Sequence, residues 1–151
     1  MKKLIAVSLF IVCVCASIPC LAGGAWIAAV PETESLAKGE SLDVSIRLGW
    51  WEASPGFALV RVTFDSKLLT LENAEALDAR VSSVNTEQGV VTLVFGPSDG
   101  QPGTAEADLI KLSFKAAKAG KCTVKPEIVS ITDSRWVDIS SENTSTVITV
   151  R

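Results

Sequence analysis

The segment from Phe57 to Phe64 alternates between two sets of side chains. One set is wholly apolar and consists of Ala58, Val60, Val62 and Phe64. The other set is mixed and consists of Phe57, Leu59, Arg61 and Thr63. Alternation with period two is typical of a strand that has one face in a core. We therefore expect the apolar set to face a core and the mixed set to face outward. The bulky Phe57 and Leu59 of the outward set indicate a surface that meets a partner.

Similar short apolar stretches, separated by turn residues, follow one another along the chain. They are Trp26–Val30, Ser41–Leu48, Leu68–Leu71, Arg80–Asn85, Val90–Phe95, Leu109–Lys115, Cys122–Lys125, Ile128–Ile131 and Thr146–Val150. About nine strands with turn signals at this spacing predict an all-β sandwich. Helix signals are weak, and the Glu, Ala and Leu residues of Leu71–Arg80 favour at most one short helical turn.

The N-terminus has the pattern of a signal peptide. Lys2 and Lys3 precede an uncharged run from Leu4 to Ile18, and small residues follow up to Ala22. A positive start, an apolar stretch and a small-residue cleavage site predict export, with cleavage after Ala22. An uncleaved N-terminal membrane anchor is the alternative, since no charged residue appears between Lys3 and Glu32. We expect a signal peptide at 1–22 and one domain at 23–151.

Charge and cysteine content narrow the class of partner. The full chain has 14 basic and 17 acidic residues and a formal charge of −3, which becomes −5 when Lys2 and Lys3 leave with the signal. An acidic domain without a basic run is a poor partner for nucleic acid or anionic membranes. Three of the four cysteines lie in the signal, so residues 23–151 contain only Cys122 and form no internal disulfide. We expect Cys122 to be a small buried apolar residue.

Composition also removes most catalytic chemistry. The chain has no histidine and no tyrosine, so Ser-His-Asp and Cys-His sites and histidine-ligated zinc are excluded. Pairs of acidic residues are present, but we interpret them as solvated charges at strand ends and in loops. No dense spacing of acidic residues predicts a metal site. We therefore expect a protein that is not an enzyme and needs no cofactor.

Tryptophan offers a second kind of surface. Trp50 and Trp51 lie between two predicted strands, and Trp136 follows Asp133-Ser134-Arg135 in another loop. Exposed tryptophan rings stack on sugars or anchor a protein partner. Alternatively, one of these rings covers an end of the sandwich core.

Four segments together resemble a cohesin domain, the receptor module of cellulosomes, in the carbohydrate-binding-module-like superfamily. They are Val30-Pro31 leading through Lys38-Gly39-Glu40 to Leu42–Leu48, Gly56–Leu71, Gly89–Phe95, and Asp108–Gly120. The resemblance covers nearly all of residues 23–151. It implies a nine-stranded jelly-roll β-sandwich and a non-catalytic module that binds dockerins, which carry their own calcium.

The resemblance also implies a binding face. Dockerins lie on one sheet of a cohesin, and the matching positions here are Phe57, Leu59, Arg61, Ser83, Asn85, Thr92 and Val94. Better-known cohesins have Asn and Asp at the positions of Phe57 and Leu59. The apolar residues here therefore imply either a more apolar dockerin surface or a different ligand.

Two functions of different kinds follow. The first is an exported cohesin-like module that docks dockerin-bearing proteins in polysaccharide degradation or cell-surface assembly, secreted, periplasmic or held by an N-terminal anchor. The second is a carbohydrate-binding module that uses Trp50, Trp51 or Trp136 to bind polysaccharide. The fold alone does not separate them, because related sandwiches serve both uses.

Overall fold

The computed structural model describes residues 23–96 and 105–151, and these residues form eleven strands and no helix. The predicted signal peptide at 1–22 lies outside the described residues. The strands are β1 (Gly24–Pro31), β2 (Ser35–Leu36), β3 (Ser41–Trp51), β4 (Pro55–Thr63), β5 (Leu69–Ala76), β6 (Val81–Glu87), β7 (Val90–Phe95), β8 (Ala105–Ala116), β9 (Gly120–Asp133), β10 (Ser140–Thr144) and β11 (Thr146–Val150).

The strands form two sheets that share one core, so the predicted all-β sandwich is confirmed. The five-stranded sheet has the order β10-β1-β3-β8-β5, and the six-stranded sheet has the order β2-β11-β9-β4-β7-β6. The ten predicted segments, Phe57–Phe64 included, fall in nine of these strands, because Cys122–Lys125 and Ile128–Ile131 are joined in β9. The two additional strands, β2 and β10, lie at sheet edges, where pairing with a single neighbour needs no apolar alternation.

Leu71–Arg80, where helix signals are weak, contains no helix, and the segment ends in a turn in which the backbone N–H of Val81 donates to the carbonyl oxygen of Asp78 at 3.0 Å. Residues up to Ala76 form β5, which pairs with β8, and Ala74 lies opposite Leu112. Helix propensity is a weak preference, and ladder hydrogen bonds to a neighbouring strand override it here.

The core is built from the alternating apolar positions of both sheets. Val60 and Leu93 of the six-stranded sheet and Ile46 and Leu112 of the five-stranded sheet are fully buried. Burying a side chain of this size stabilises a fold by roughly 1.5–3 kcal/mol. Two rings join the sheets edge to face, with 4.9 Å between the ring centroids of Phe64 and Phe114.

Cys122 is a buried core residue, as predicted, with 1% of its surface exposed. Burial in apolar surroundings raises the pKa of its thiol. A thiol with a raised pKa is protonated and unreactive at neutral pH, which agrees with a packing role.

Candidate functional site

The alternation in β4 is confirmed by burial. Ala58, Val60 and Val62 are fully buried, whereas Phe57 and Leu59 are partly exposed. Arg61 is exposed on the same side as those two residues. The six-stranded sheet therefore presents an outer face on which apolar groups from the start of β4 meet solvent.

Strand pairing places the other residues suggested by the resemblance beside β4. Leu59 lies opposite Val94 of β7, which lies opposite Ser83 of β6. Two residues further along β4, Arg61 lies opposite Thr92 of β7, which lies opposite Asn85 of β6. Side chains directly opposite one another in antiparallel strands point to the same face. The seven candidate residues, Phe57 included, thus share the outer face of the six-stranded sheet.

Strand β9 completes this face, although sequence reasoning did not assign it there. Ser130 lies opposite Leu59, and Glu127 lies opposite Arg61 on the side away from β7. A register shift between Leu59 and Val60 leaves Val129 without an opposite partner, and Val129 is 43% exposed. The alternation within β9 predicted a strand, but the sequence of this segment did not identify β4 as the neighbouring strand.

Charges distinguish the two outer faces of the sandwich. The outer face of the five-stranded sheet carries ion pairs, with 2.8 Å between Arg47 Nε and Asp108 Oδ1 and 2.9 Å between Lys111 Nζ and Glu75 Oε2. Arg61, by contrast, makes no ion pair with any residue that the structure describes. The outer face of the six-stranded sheet thus combines apolar surface with a cation that forms no ion pair with the described residues, although Glu127 lies opposite it in β9.

A groove opens at the end of this face where β4 and β9 meet. Its volume is about 320 Å³, and among the described residues it is lined by Gly56, Phe57, Ser82, Val94, Gly96, Asp133, Ser134 and Trp136. Two glycines allow the backbones to approach closely here. A Cβ on Gly96, whose φ is +121°, would lie 2.4 Å from the carbonyl oxygen of Gly56.

Asp133 organises the turn that forms one wall of the groove. Its Oδ1 accepts hydrogen bonds from the backbone N–H groups of Arg135 and Val137, at 2.8 and 3.0 Å. Its Oδ2 accepts bonds from Nε and Nη2 of the Arg135 guanidinium. These bonds hold the pKa of the Asp133 carboxyl below its usual range, and the bond from the Val137 backbone has the largest effect. Trp136 follows with a φ of +66°, which places it in the left-handed region.

The three candidate tryptophans have different environments. Trp50 is only 5% exposed and packs against Phe95, with 6.5 Å between the ring centroids, so its assignment to a sugar platform is wrong. The guanidinium of Arg80 lies 5.6 Å from its ring centroid and covers it further. Trp50 closes one end of the core because its side of β3 faces inward.

Trp51 and Trp136 remain at the surface. Trp51 is 38% exposed and rests on Gly24, where a Cβ would overlap its ring. Trp136 is 75% exposed, and its ring centroid lies 6.3 Å from that of Phe57 with 35° between the planes. Trp51 belongs to β3 of the five-stranded sheet, whereas Trp136 flanks β4 of the other sheet. The three tryptophans therefore do not form one platform.

The described residues contain neither a metal-binding cluster nor a membrane-spanning helix. Within residues 23–96 and 105–151, no three cysteine or acidic side chains cluster closely enough to hold a metal ion. The same residues include no helix of the length and apolar character needed to cross a membrane.

Several solved structures with a similar architecture are cohesins. The chain is similar to CaCohA2 of Clostridium acetobutylicum in its complex with CaDoc0917, with 18% identity, a TM-score of 0.69, and coverage of 84% of this chain and 99% of that chain. It is similar to the sixth cohesin of Acetivibrio cellulolyticus scaffoldin B in complex with a dockerin, with 18% identity, a TM-score of 0.63, and coverage of 86% and 99%.

A third similar structure is a non-cellulosomal cohesin from the hyperthermophilic archaeon Archaeoglobus fulgidus. Its identity is 13%, its TM-score is 0.63, and the match covers 85% of this chain and 91% of that chain. No family model and no curated protein matches the sequence. The described residues have the fold of a cohesin domain, in agreement with the resemblance in the sequence.

Proposed function

We propose that residues 23–151 are an exported, non-catalytic cohesin module that binds a dockerin through the outer face of the six-stranded sheet. The observation that carries this proposal is the difference between the two outer faces. One carries ion pairs such as Arg47–Asp108, whereas the other partly exposes Phe57 and Leu59 beside Arg61, which forms no ion pair with the described residues. Apolar surface beside an unpaired charge is typical of a surface that becomes buried on binding.

The similar structures support the class of partner. Several of them are cohesins in complex with dockerins. The dockerin would bring its own calcium, and the assembly would serve polysaccharide degradation or organisation of the cell surface. Phe57 and Leu59 replace the polar pair of better-known cohesins, so we expect a dockerin with an apolar contact surface.

The test uses purified residues 23–151 and a panel of calcium-loaded dockerin modules, with affinity measured by calorimetry. We expect at least one dockerin to bind, and the double variant Leu59→Asp, Arg61→Glu to weaken that binding at least about 100-fold, because it buries unpaired carboxylates. The matched control is Ser45→Asp, Lys115→Glu on the opposite face, which should bind like the parent.

Two results would contradict the proposal. One is an absence of dockerin binding across the panel, and the other is equal loss of binding in both double variants when both are folded. Insoluble cellulose in a parallel pull-down tests the carbohydrate-binding alternative, which retains only Trp51 and Trp136 after the burial of Trp50.

A further inference from the structure

The groove between β4 and the Asp133–Val137 turn is an extension of the binding face that the resemblance did not assign. Its two aromatic walls, Phe57 and Trp136, are tilted by 35° and form a corner. Val94 continues the apolar lining from the row that contains Leu59. The groove and the proposed face are therefore one continuous surface.

The polar side chains of the described lining residues are mostly engaged in hydrogen bonds within the chain. Both carboxylate oxygens of Asp133 already accept two hydrogen bonds each. The hydroxyl of Ser82 donates to the carbonyl oxygen of Val94 at 3.4 Å. Among the described lining residues, Ser134 has the remaining hydroxyl. A sugar ring requires several hydrogen-bonding partners, and the described side chains of this groove leave few polar groups for them.

We propose that this groove receives one large aliphatic or aromatic side chain from a helix of the docked partner, with Trp136 as the specificity-determining residue. The inference rests on the proposed function, because the groove continues the proposed dockerin-binding face. Buried aromatic anchors in closed pockets typically dominate the energetics of an interface.

Charge complementarity fixes a second feature of the partner. Phe57 and Arg61 are four residues apart in β4, which corresponds to about 13 Å at roughly 3.3 Å per residue. Arg61 forms no ion pair with the described residues even though Glu127 lies opposite it in β9, so its guanidinium is available to a carboxylate that the docked helix places beside it. On a helix with a pitch of about 5.4 Å, an apolar anchor and a carboxylate that far apart are separated by two to three turns.

Asp133 is the positioning residue for this groove. Its hydrogen bonds to the N–H groups of Arg135 and Val137 maintain a turn in which Trp136 has a positive φ. A non-glycine residue in the left-handed region persists only where surrounding bonds hold it. The turn therefore holds the backbone of Trp136 in place, with its ring beside Phe57, before the partner arrives, which reduces the entropy lost on binding.

The first experiment tests the groove without a dockerin. N-acetyl-leucinamide, N-acetyl-phenylalaninamide and cellotriose are titrated at millimolar concentrations into residues 23–151, and the indole N–H resonance of Trp136 is followed by NMR. The resonance is assigned by its loss in Trp136→Phe. We expect the two apolar amides to shift it and cellotriose to leave it unchanged. A shift with cellotriose alone, or with none of the three, would overturn the inference.

The second experiment uses the dockerin selected in the test of the proposed function. Trp136→Ala should weaken its binding about 30-fold, the change expected for a central tryptophan anchor. Trp136→Phe should restore most of the affinity. Val137→Ala is the matched control in the same turn, since Val137 is 44% exposed and does not line the groove.

The outcomes of this second experiment separate the two proposals. If Leu59→Asp, Arg61→Glu abolishes binding while Trp136→Ala binds like the parent, the dockerin-binding face stands and the groove is not its anchor site. If Trp136→Ala and Val137→Ala lose affinity equally, the turn has only a structural effect and the inference fails.

Discussion

At the scale of single residues, the tryptophans show that one residue type serves different purposes in this chain. Trp50 is almost completely buried and is covered by Phe95 and Arg80, whereas Trp136 is largely exposed on a turn held by Asp133. Local sequence does not distinguish them, because both follow a small or polar residue outside the strands that the sequence predicts. Only the packing of the second sheet over β3 makes Trp50 a core residue.

The first residue-scale prediction concerns Trp50. Trp50→Ala should lower the free energy of unfolding by about 3–5 kcal/mol, because it removes a large buried ring from the end of the core. Urea denaturation followed by circular dichroism measures this change. Trp136→Ala is the control and should alter the free energy of unfolding by less than about 0.5 kcal/mol. Equal effects of the two substitutions would contradict the difference in burial.

The second residue-scale prediction concerns the pH dependence of the Trp136 turn. The folded-state pKa of Asp133 lies below the ordinary value of 3.8. The contribution of its carboxylate to turn stability is therefore fully present above about that value and is lost as the pH falls through the folded-state pKa. Trp136 fluorescence should change over that acidic range. Asp133→Asn should abolish this transition, and its persistence in the variant would refute the assignment to Asp133.

At the scale of elements, β10 shows what apolar alternation does not reveal. Its residues Ser140–Thr144 are all exposed and polar, yet they pair in parallel with β1. The strand is tied to β9 by Asn143, whose Oδ1 accepts a hydrogen bond from the backbone N–H of Ile128 at 3.0 Å. Sequence reasoning depends on a buried face, and an edge strand without one gives no such signal.

Asn143 supplies the element-scale prediction. Asn143→Ala should reduce the free energy of unfolding by roughly 1–3 kcal/mol, because the N–H of the buried Ile128 loses its acceptor. Amide hydrogen exchange at Ile128 should become faster. Asn73→Ala in β5 is the control, since Asn73 is exposed and its side chain makes no hydrogen bond with the described residues. Unchanged exchange at Ile128 would contradict the proposed tie between the strands.

At the scale of the whole molecule, the sandwich is assembled from strands that are distant in sequence. β1 pairs with both β3 and β10, so Ala25 lies between Trp50 and Ser141. β3 pairs with β8, which places Ile46 opposite Ile110. Closing such long loops costs entropy before the contacts repay it, which makes the folding of a β-sandwich slow.

The whole-molecule prediction is therefore kinetic. Residues 23–151 should refold on a timescale of milliseconds to seconds after dilution from urea. Stopped-flow tryptophan fluorescence measures this rate. Added reductant should leave both the rate and the unfolding midpoint unchanged, because Cys122 is the single cysteine of that segment and is buried. Refolding in microseconds would contradict a transition state that depends on distant strand pairs.

The sequence alone determined the fold class, the inward and outward faces of β4 and the absence of histidine-based chemistry. These follow from the two-residue period of a strand and from composition, and both can be read along the chain. Tertiary structure decided that β9 borders β4, that Trp50 is buried and that Phe57 and Trp136 form a groove. These are contacts between residues far apart in the chain, and their pairing depends on how all the strands pack together, which local periodicity does not encode.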